Sequence, residues 1–135
     1  MNKTIFVTGI FFGLTAVLLG AFGAHGLEKM VDAKAIETFE TGVRYQMYHA
    51  LFLLLLGGSN LLVNERKKLI YYFIVVGIVC FSFSIYLLAI NELSSFDFKK
   101  IALLTPLGGV LLVTGWILLG IRVLNQKPSH KTNKL

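Results

Sequence analysis

Four uninterrupted apolar runs, Thr4–Ala24, Tyr45–Asn64, Leu69–Ile90 and Ile101–Leu124, limit what this chain can fold into. A helix rising ~1.5 Å per residue crosses a ~30 Å hydrocarbon core in roughly 20 residues, so each run is long enough to span a bilayer. Only 15% of the 135 residues are charged and the mean hydropathy is +0.74. A water-soluble domain carries about 25% charged residues, so lipid faces most of this surface. Barrel strands alternate apolar and polar side chains, whereas LFLLLLGG at 51–58 and IVVGIVCF at 74–81 are continuous. Helices also satisfy their own backbone groups, as the bilayer interior demands. The expected fold is all-α, an integral membrane four-helix bundle over residues 1–124, with a basic disordered cytoplasmic tail at 125–135.

The first run has some features of a secretory signal, with Lys3 before an apolar stretch and Ala21-Phe22-Gly23 as a weak cleavage site. It is long for that purpose, and Gly9, Gly13, Ala16, Gly20 and Ala24 share one helical face. Small residues on one face let another helix approach closely, which points to a retained span. Basic residues set the expected orientation. Eight fall in the N-terminal tail, the second loop and the C-terminal end, against five in the first and third loops. The positive-inside rule then puts both termini in the cytoplasm of a bacterial plasma membrane.

The net charge of +6 does not imply nucleic acid as a partner. A nucleic-acid face gathers cations among aromatics, whereas these fall in short loops and in the tail NQKPSHKTNKL. They suit topology and weak attraction to anionic lipid. Cys80, the single cysteine, has no intramolecular disulfide partner, and no Cys/His cluster has metal-site spacing. No metal or other cofactor is expected.

Between Glu28 and Arg44, the apolar residues Ile36, Phe39, Val43 and Met47 recur at spacings of three and four, with Glu37, Glu40 and Arg44 mostly between them. This pattern predicts an amphipathic helix between spans one and two that runs directly into span two, its apolar side on the lipid surface or over the bundle. Gly42 weakens the join slightly and is the point at which a bend could occur. Within span two, Gln46, His49, Leu53, Gly57, Asn60 and Asn64 share a stripe; in span three, Gly77, Ser84 and Asn91 are seven apart. Polar residues avoid lipid, so the two stripes are expected to face each other.

With cytoplasmic termini, the polar and glycine-rich segments GAFGAHGL, RYQMYHAL, AINEL and TPLGG all reach the extracytoplasmic end. His49 is expected about one turn inside the hydrocarbon edge, with His25 nearer the boundary. Thr105 followed by Pro106 reads as a helix N-cap and first residue, behind an interfacial lead-in at 101–104. Free amides at two helix N-termini, the charge of Arg44 and close access at Gly108 and Gly109 suit an anionic or hydrogen-bond-accepting group. The candidate ligand or lipid site is therefore His25, Arg44, Gln46, His49, Asn91, Thr105, Gly108 and Gly109. The alternative is structural: His25 meets the helix dipole, Tyr45 and Tyr48 form an aromatic belt, Trp116 packs deep, and the polar groups act as interhelical glue.

GAFGAHGL at 20–27, TGVRYQMYHAL at 41–51, SFSIYLLAIN at 82–91 and TPLGGVLLVTGW at 105–116 together make the chain resemble a small membrane-protein family, domain of unknown function 423, which includes eukaryotic transmembrane protein 256. The resemblance covers nearly the whole chain apart from the tail and implies a four-helix membrane protein without an established activity. Phe83 departs from it, standing where the family is expected to carry glycine. The leading expectation for function is an accessory or assembly protein that binds membrane lipid or a membrane-protein partner at its extracytoplasmic rim. One alternative is an oligomeric small-solute transporter or channel. With no Asp, Glu, Lys or Arg in the core of a span, an ion-coupled pump is disfavoured. The other is an intramembrane enzyme using His25 or His49, for which neither a neighbouring nucleophile nor a carboxylate pair is evident.

Overall fold

Asn2 starts the first helix by accepting a hydrogen bond from the Ile5 amide at 3.2 Å, and α1 runs over Lys3–His25. The computed structural model describes residues 1–127, so all but the first three residues of the expected 125–135 tail lie outside the described residues. A 3-10 turn at Leu27–Lys29 leads to Asp32, whose carboxylate accepts from the Ala35 amide at 2.8 Å and caps α2, Ala33–Gly58. After α2 come α3 (Asn64–Ile78), a π-helical turn (Val79–Phe83) and α4 (Ser84–Ala89), which together form one 26-residue rod. Two 3-10 turns, Asn91–Leu93 and Phe98–Ile101, lead to α5 (Leu104–Leu124). The described residues contain no strand. The molecule is an all-α membrane four-helix bundle. The rods Lys3–Lys29, Asn64–Ala89 and Phe98–Leu124 are each long and apolar enough to cross a membrane by length and composition.

The amphipathic segment and span two are one unbroken helix, which continues through Gly42. A Cβ at Gly42 would come 2.6 Å from the Tyr86 ring, so the glycine makes room for a neighbour. Phe39 and Leu27 bury against Tyr86 and Ala89, with Ile36 packed beside them, so the amphipathic face lies over the bundle. The expected end of span two at 64 is corrected to Gly58. Ser59 leaves the helix in extended geometry, and its hydroxyl accepts from the Leu61 amide at 3.0 Å. A serine hydroxyl that satisfies the next turn competes with helix continuation. Asn60 thus sits in the turn and Asn64 opens α3; neither belongs to the α2 stripe.

The α1–α2 contact is close along its whole length. A Cβ at Gly9 would lie 2.9 Å from the Ala50 carbonyl oxygen, and one at Gly57 would lie 2.6 Å from the Phe6 amide. The Asn2 amide donates to the Gly57 carbonyl at 2.7 Å. Ala16 is fully buried, but Ala24 is exposed, and Gly23 takes its place in the seam against Phe39. On the other side, α5 packs on α3 through Gly77 beneath Leu112 and Gly115 beneath Ile74, and on the π turn where Gly108 meets the Phe81 backbone. Ile5, Phe12, Leu53, Ile70, Ile74 and Leu112 join these helices in one core.

Candidate functional site

Gln46 is fully buried and uses both ends of its amide. Its Nε2 donates to the Phe12 carbonyl at 2.9 Å and to the Thr15 hydroxyl at 2.8 Å, while its Oε1 accepts from the Tyr86 hydroxyl at 2.7 Å. One side chain therefore ties α1, α2 and α4 together. The Ser82 hydroxyl donates to the Gly42 carbonyl at 2.8 Å and fastens the π turn to α2. Every described buried side-chain nitrogen and oxygen has a partner. In an apolar medium this saturation matters, because an unpaired polar group there is costly.

His49 is buried and faces α5. The indole Nε1 of Trp116 donates to His49 Nε2 at 3.1 Å, and His49 Nδ1 lies 2.7 Å from the Tyr45 carbonyl oxygen. Indole is a donor only, so Nε2 must accept and Nδ1 must carry the proton it gives to Tyr45. Both ring nitrogens are thereby engaged in the neutral tautomer. The Trp116 ring also packs edge-on to Phe52 at 4.6 Å.

Cavities flank this link on either side. One, of about 720 Å³, is lined by Tyr45, His49, Phe81, Pro106, Gly109 and Trp116. The other, of about 400 Å³, is lined among others by Leu51, Leu55, Ser59, Leu62, Lys67 and Trp116. Together they form an apolar groove between α2 and α5, with Trp116 contributing to both halves.

The expected rim residues do not all meet. His25 is exposed in the last turn of α1, and Arg44 is exposed and paired with Glu40 at 3.2 Å. Gly23 lies against Phe39 and Gly13 against Ala50. His49, next to Ala50, is therefore level with the middle of α1, about 15 Å along the axis from the level of His25. Asn91 accepts from the Phe98 amide at 2.7 Å and fixes the lead-in to α5. Thr105 does not cap α5, which starts at Leu104; its hydroxyl instead meets that of Ser84 at 2.6 Å. Pro106 still falls in the first turn, where amides lack helical partners. Gly108 is filled by a neighbouring backbone, while Gly109 lines the larger cavity. The two polar stripes do not face each other either. Gln46 and Gly57 face α1, His49 faces α5, and Gly77 and Ser84 also face α5.

Trp116, Tyr86, Thr15 and Lys67 were not among the expected site residues. A signal existed for Trp116, since an indole N–H deep within a span needs an acceptor and His49 was the deep one on offer. Lys67 read as a loop cation, yet only 1% of it is exposed and its ammonium donates to the Ser59 carbonyl.

Comparison with known proteins finds relatives named as membrane proteins. A UPF0382 membrane protein of Staphylococcus saprophyticus is 38% identical over 119 residues, covering 88% of this chain and 95% of its own length. The UPF0382 membrane protein YwdK of Bacillus subtilis is 37% identical, covering 87% and 93%. A UPF0382 membrane protein of Haemophilus influenzae is 41% identical over 105 residues, covering 78% and 81%. No solved structure matches the chain. The family model described as protein of unknown function (DUF423) matches residues 19–109, and the chain belongs to that family of small membrane proteins.

Proposed function

We propose that this protein is an accessory protein of the bacterial plasma membrane that holds a lipid acyl chain in the groove between α2 and α5. The observation that carries the reading is the division of labour around His49. Its two nitrogens are committed to Trp116 and Tyr45, which leaves no free base for proton transfer, while apolar space remains open on both sides of the link. Acyl chains suit a concave apolar surface that already faces lipid. Pro106 and Gly109 lie in the wall of the larger cavity, so one mouth opens toward the end expected to be extracytoplasmic. Both termini are assigned to the cytoplasm by the eight-to-five excess of basic residues. A reporter fused after Leu135 that works only in the cytoplasm should therefore be active.

Leu55 lines the smaller cavity and is 74% exposed, so a larger side chain there fills the groove without entering the core. Leu55→Trp should leave the melting temperature in detergent nearly unchanged and reduce the phospholipid that co-purifies, measured by mass spectrometry. Full lipid retention by a well-folded Leu55→Trp protein would remove the groove from consideration.

A further inference from the structure

At the end of the bundle where α2 stops and α3 begins, Lys67 lines the smaller cavity, and its neighbour in sequence, Arg66, is joined to Arg122 of α5. Lys67 is buried, lines the cavity, and directs its ammonium to the Ser59 carbonyl just past the end of α2. That bond uses one of three ammonium donors. Next to Lys67 in sequence, Arg66 clasps Arg122 across α3 and α5. Each guanidinium donates to the other residue's backbone carbonyl, Arg66 to Arg122 at 3.4 Å and Arg122 in return to Arg66. Both side chains are half-buried. The one ion pair among the described residues is Arg44–Glu40, on another part of α2, so none of these three cations has a carboxylate partner. Glu65, the acid nearest in sequence, is exposed.

Like charges held together at a half-buried rim repel one another unless an anion lies among them. Guanidinium groups are suited to phosphate oxygens, and most of their donors here are unspent. Leu119 lines the cavity one turn before Arg122 on α5, so the cavity wall leads toward the arginine pair. Trp116 stands six residues, or about 9 Å of helix, beyond Arg122. That is close to the depth of the middle of an acyl chain below its phosphate.

We infer that this end of the groove is a binding site for one phospholipid with an anionic headgroup. Its phosphate sits on Arg66, Lys67 and Arg122, and one acyl chain runs along Leu119, Leu55 and Leu51 to Trp116. This rests on the reading of the groove as a lipid site and adds the headgroup class and the residues that select it. A surface-wide attraction of anionic lipid to basic residues is the competing explanation, and Lys68 tests it, being an exposed cation at the same end.

Trp116 is the single tryptophan of the chain and provides the readout. The intact protein is reconstituted in vesicles of phosphatidylcholine containing a small fraction of either phosphatidylglycerol or phosphatidylcholine brominated at mid-chain. Quenching of Trp116 by the anionic lipid should be half-maximal at a concentration lower by about fivefold or more, the gain one basic residue can confer near an anionic surface. Arg66→Gln with Arg122→Gln should erase that preference, and Arg122→Gln alone should reduce it if the double variant folds poorly. Lys68→Gln should preserve it. Equal quenching by the two lipids in the wild type would overturn the inference, as would a preference that survives the arginine substitutions. An equal loss in Lys68→Gln would overturn it in favour of diffuse attraction. Lipid loss in Leu55→Trp is scored separately, so a groove that binds lipid without headgroup preference would be recognised as such.

Discussion

The seam between α1 and α2 and the groove between α2 and α5 share a helix and use it in opposite ways. In the seam, glycines at 9 and 57 bring backbones into contact and Gln46 closes the polar ledger across three helices. In the groove, the distance is bridged by the largest side chain available, Trp116, reaching one histidine and leaving cavities on both sides. In lipid, helices gain little from hiding apolar surface from one another, so close packing and satisfied polar groups hold a bundle together. The seam has both. The groove has one side-chain hydrogen bond and the ring contacts of Trp116 with His49 and Phe52, which suits a surface that must admit something else.

The strongest way to break the comparison is to force the seam apart. Gly57→Leu would drive a side chain into the Phe6 backbone, and Gly9→Leu would do the same at Ala50. Either should cost ~3 kcal/mol or more and abolish most folded yield in detergent, as overpacking against backbone does. Gly13→Ala is the contrast, because its Cβ would make an ordinary 3.7 Å contact with Ala50 and should be tolerated. A seam indifferent to position would show equal losses. Next in size is Gln46→Leu, which strands the Tyr86 hydroxyl in the core. About 1–2 kcal/mol of stability should be lost by thermal denaturation, and Tyr86→Phe in the same background should recover part of it.

His49→Ala should cost less, about 0.5–1 kcal/mol, because it leaves one indole donor unpaired, whereas Gln46→Leu breaks three hydrogen bonds at a fully buried position. A loss as large as that of Gln46→Leu would mean that the groove is structural in the same sense as the seam. The smallest effect is expected at Gly120, where an added Cβ meets nothing within 4 Å. Gly120→Ala should raise stability by at most ~1 kcal/mol through helix propensity, with no change in bound lipid.

Much of this contrast was legible in the residues. The small-residue face of α1 announced a close neighbour, and the polar positions Gln46 and His49 announced that they turn away from lipid. What could not be read was which helix each would meet. Gln46 and His49 lie three residues apart, about 300° around the helix, or 60° the other way. That modest divergence sends one to α1 and the other to α5. The Ser84–Thr105 bond shows the same limit. Thr-Pro is a sound capping signal locally, but a hydroxyl partner across the interface offered a better use for the threonine side chain. The π turn at Val79–Phe83 carries no glycine or proline to mark it, and it sits where the α5 backbone approaches most closely at Gly108. Lys67 was misjudged for a different reason: a cation beside a loop normally faces water, and this one lies beneath the turn that ends α2.

The claim that the α2–α5 groove holds an acyl chain is tested most directly by letting the chain report its own position. A phospholipid carrying a photoactivatable group at mid-chain, added at about one molecule per protein in detergent and mapped by peptide mass spectrometry, would mark its neighbours. The account predicts adducts concentrated on Leu51, Leu55, Val113 and Trp116. Adducts spread over the outward face of α1, on Val7, Phe11 and Leu14, at the same frequency as on α2 and α5 would contradict it.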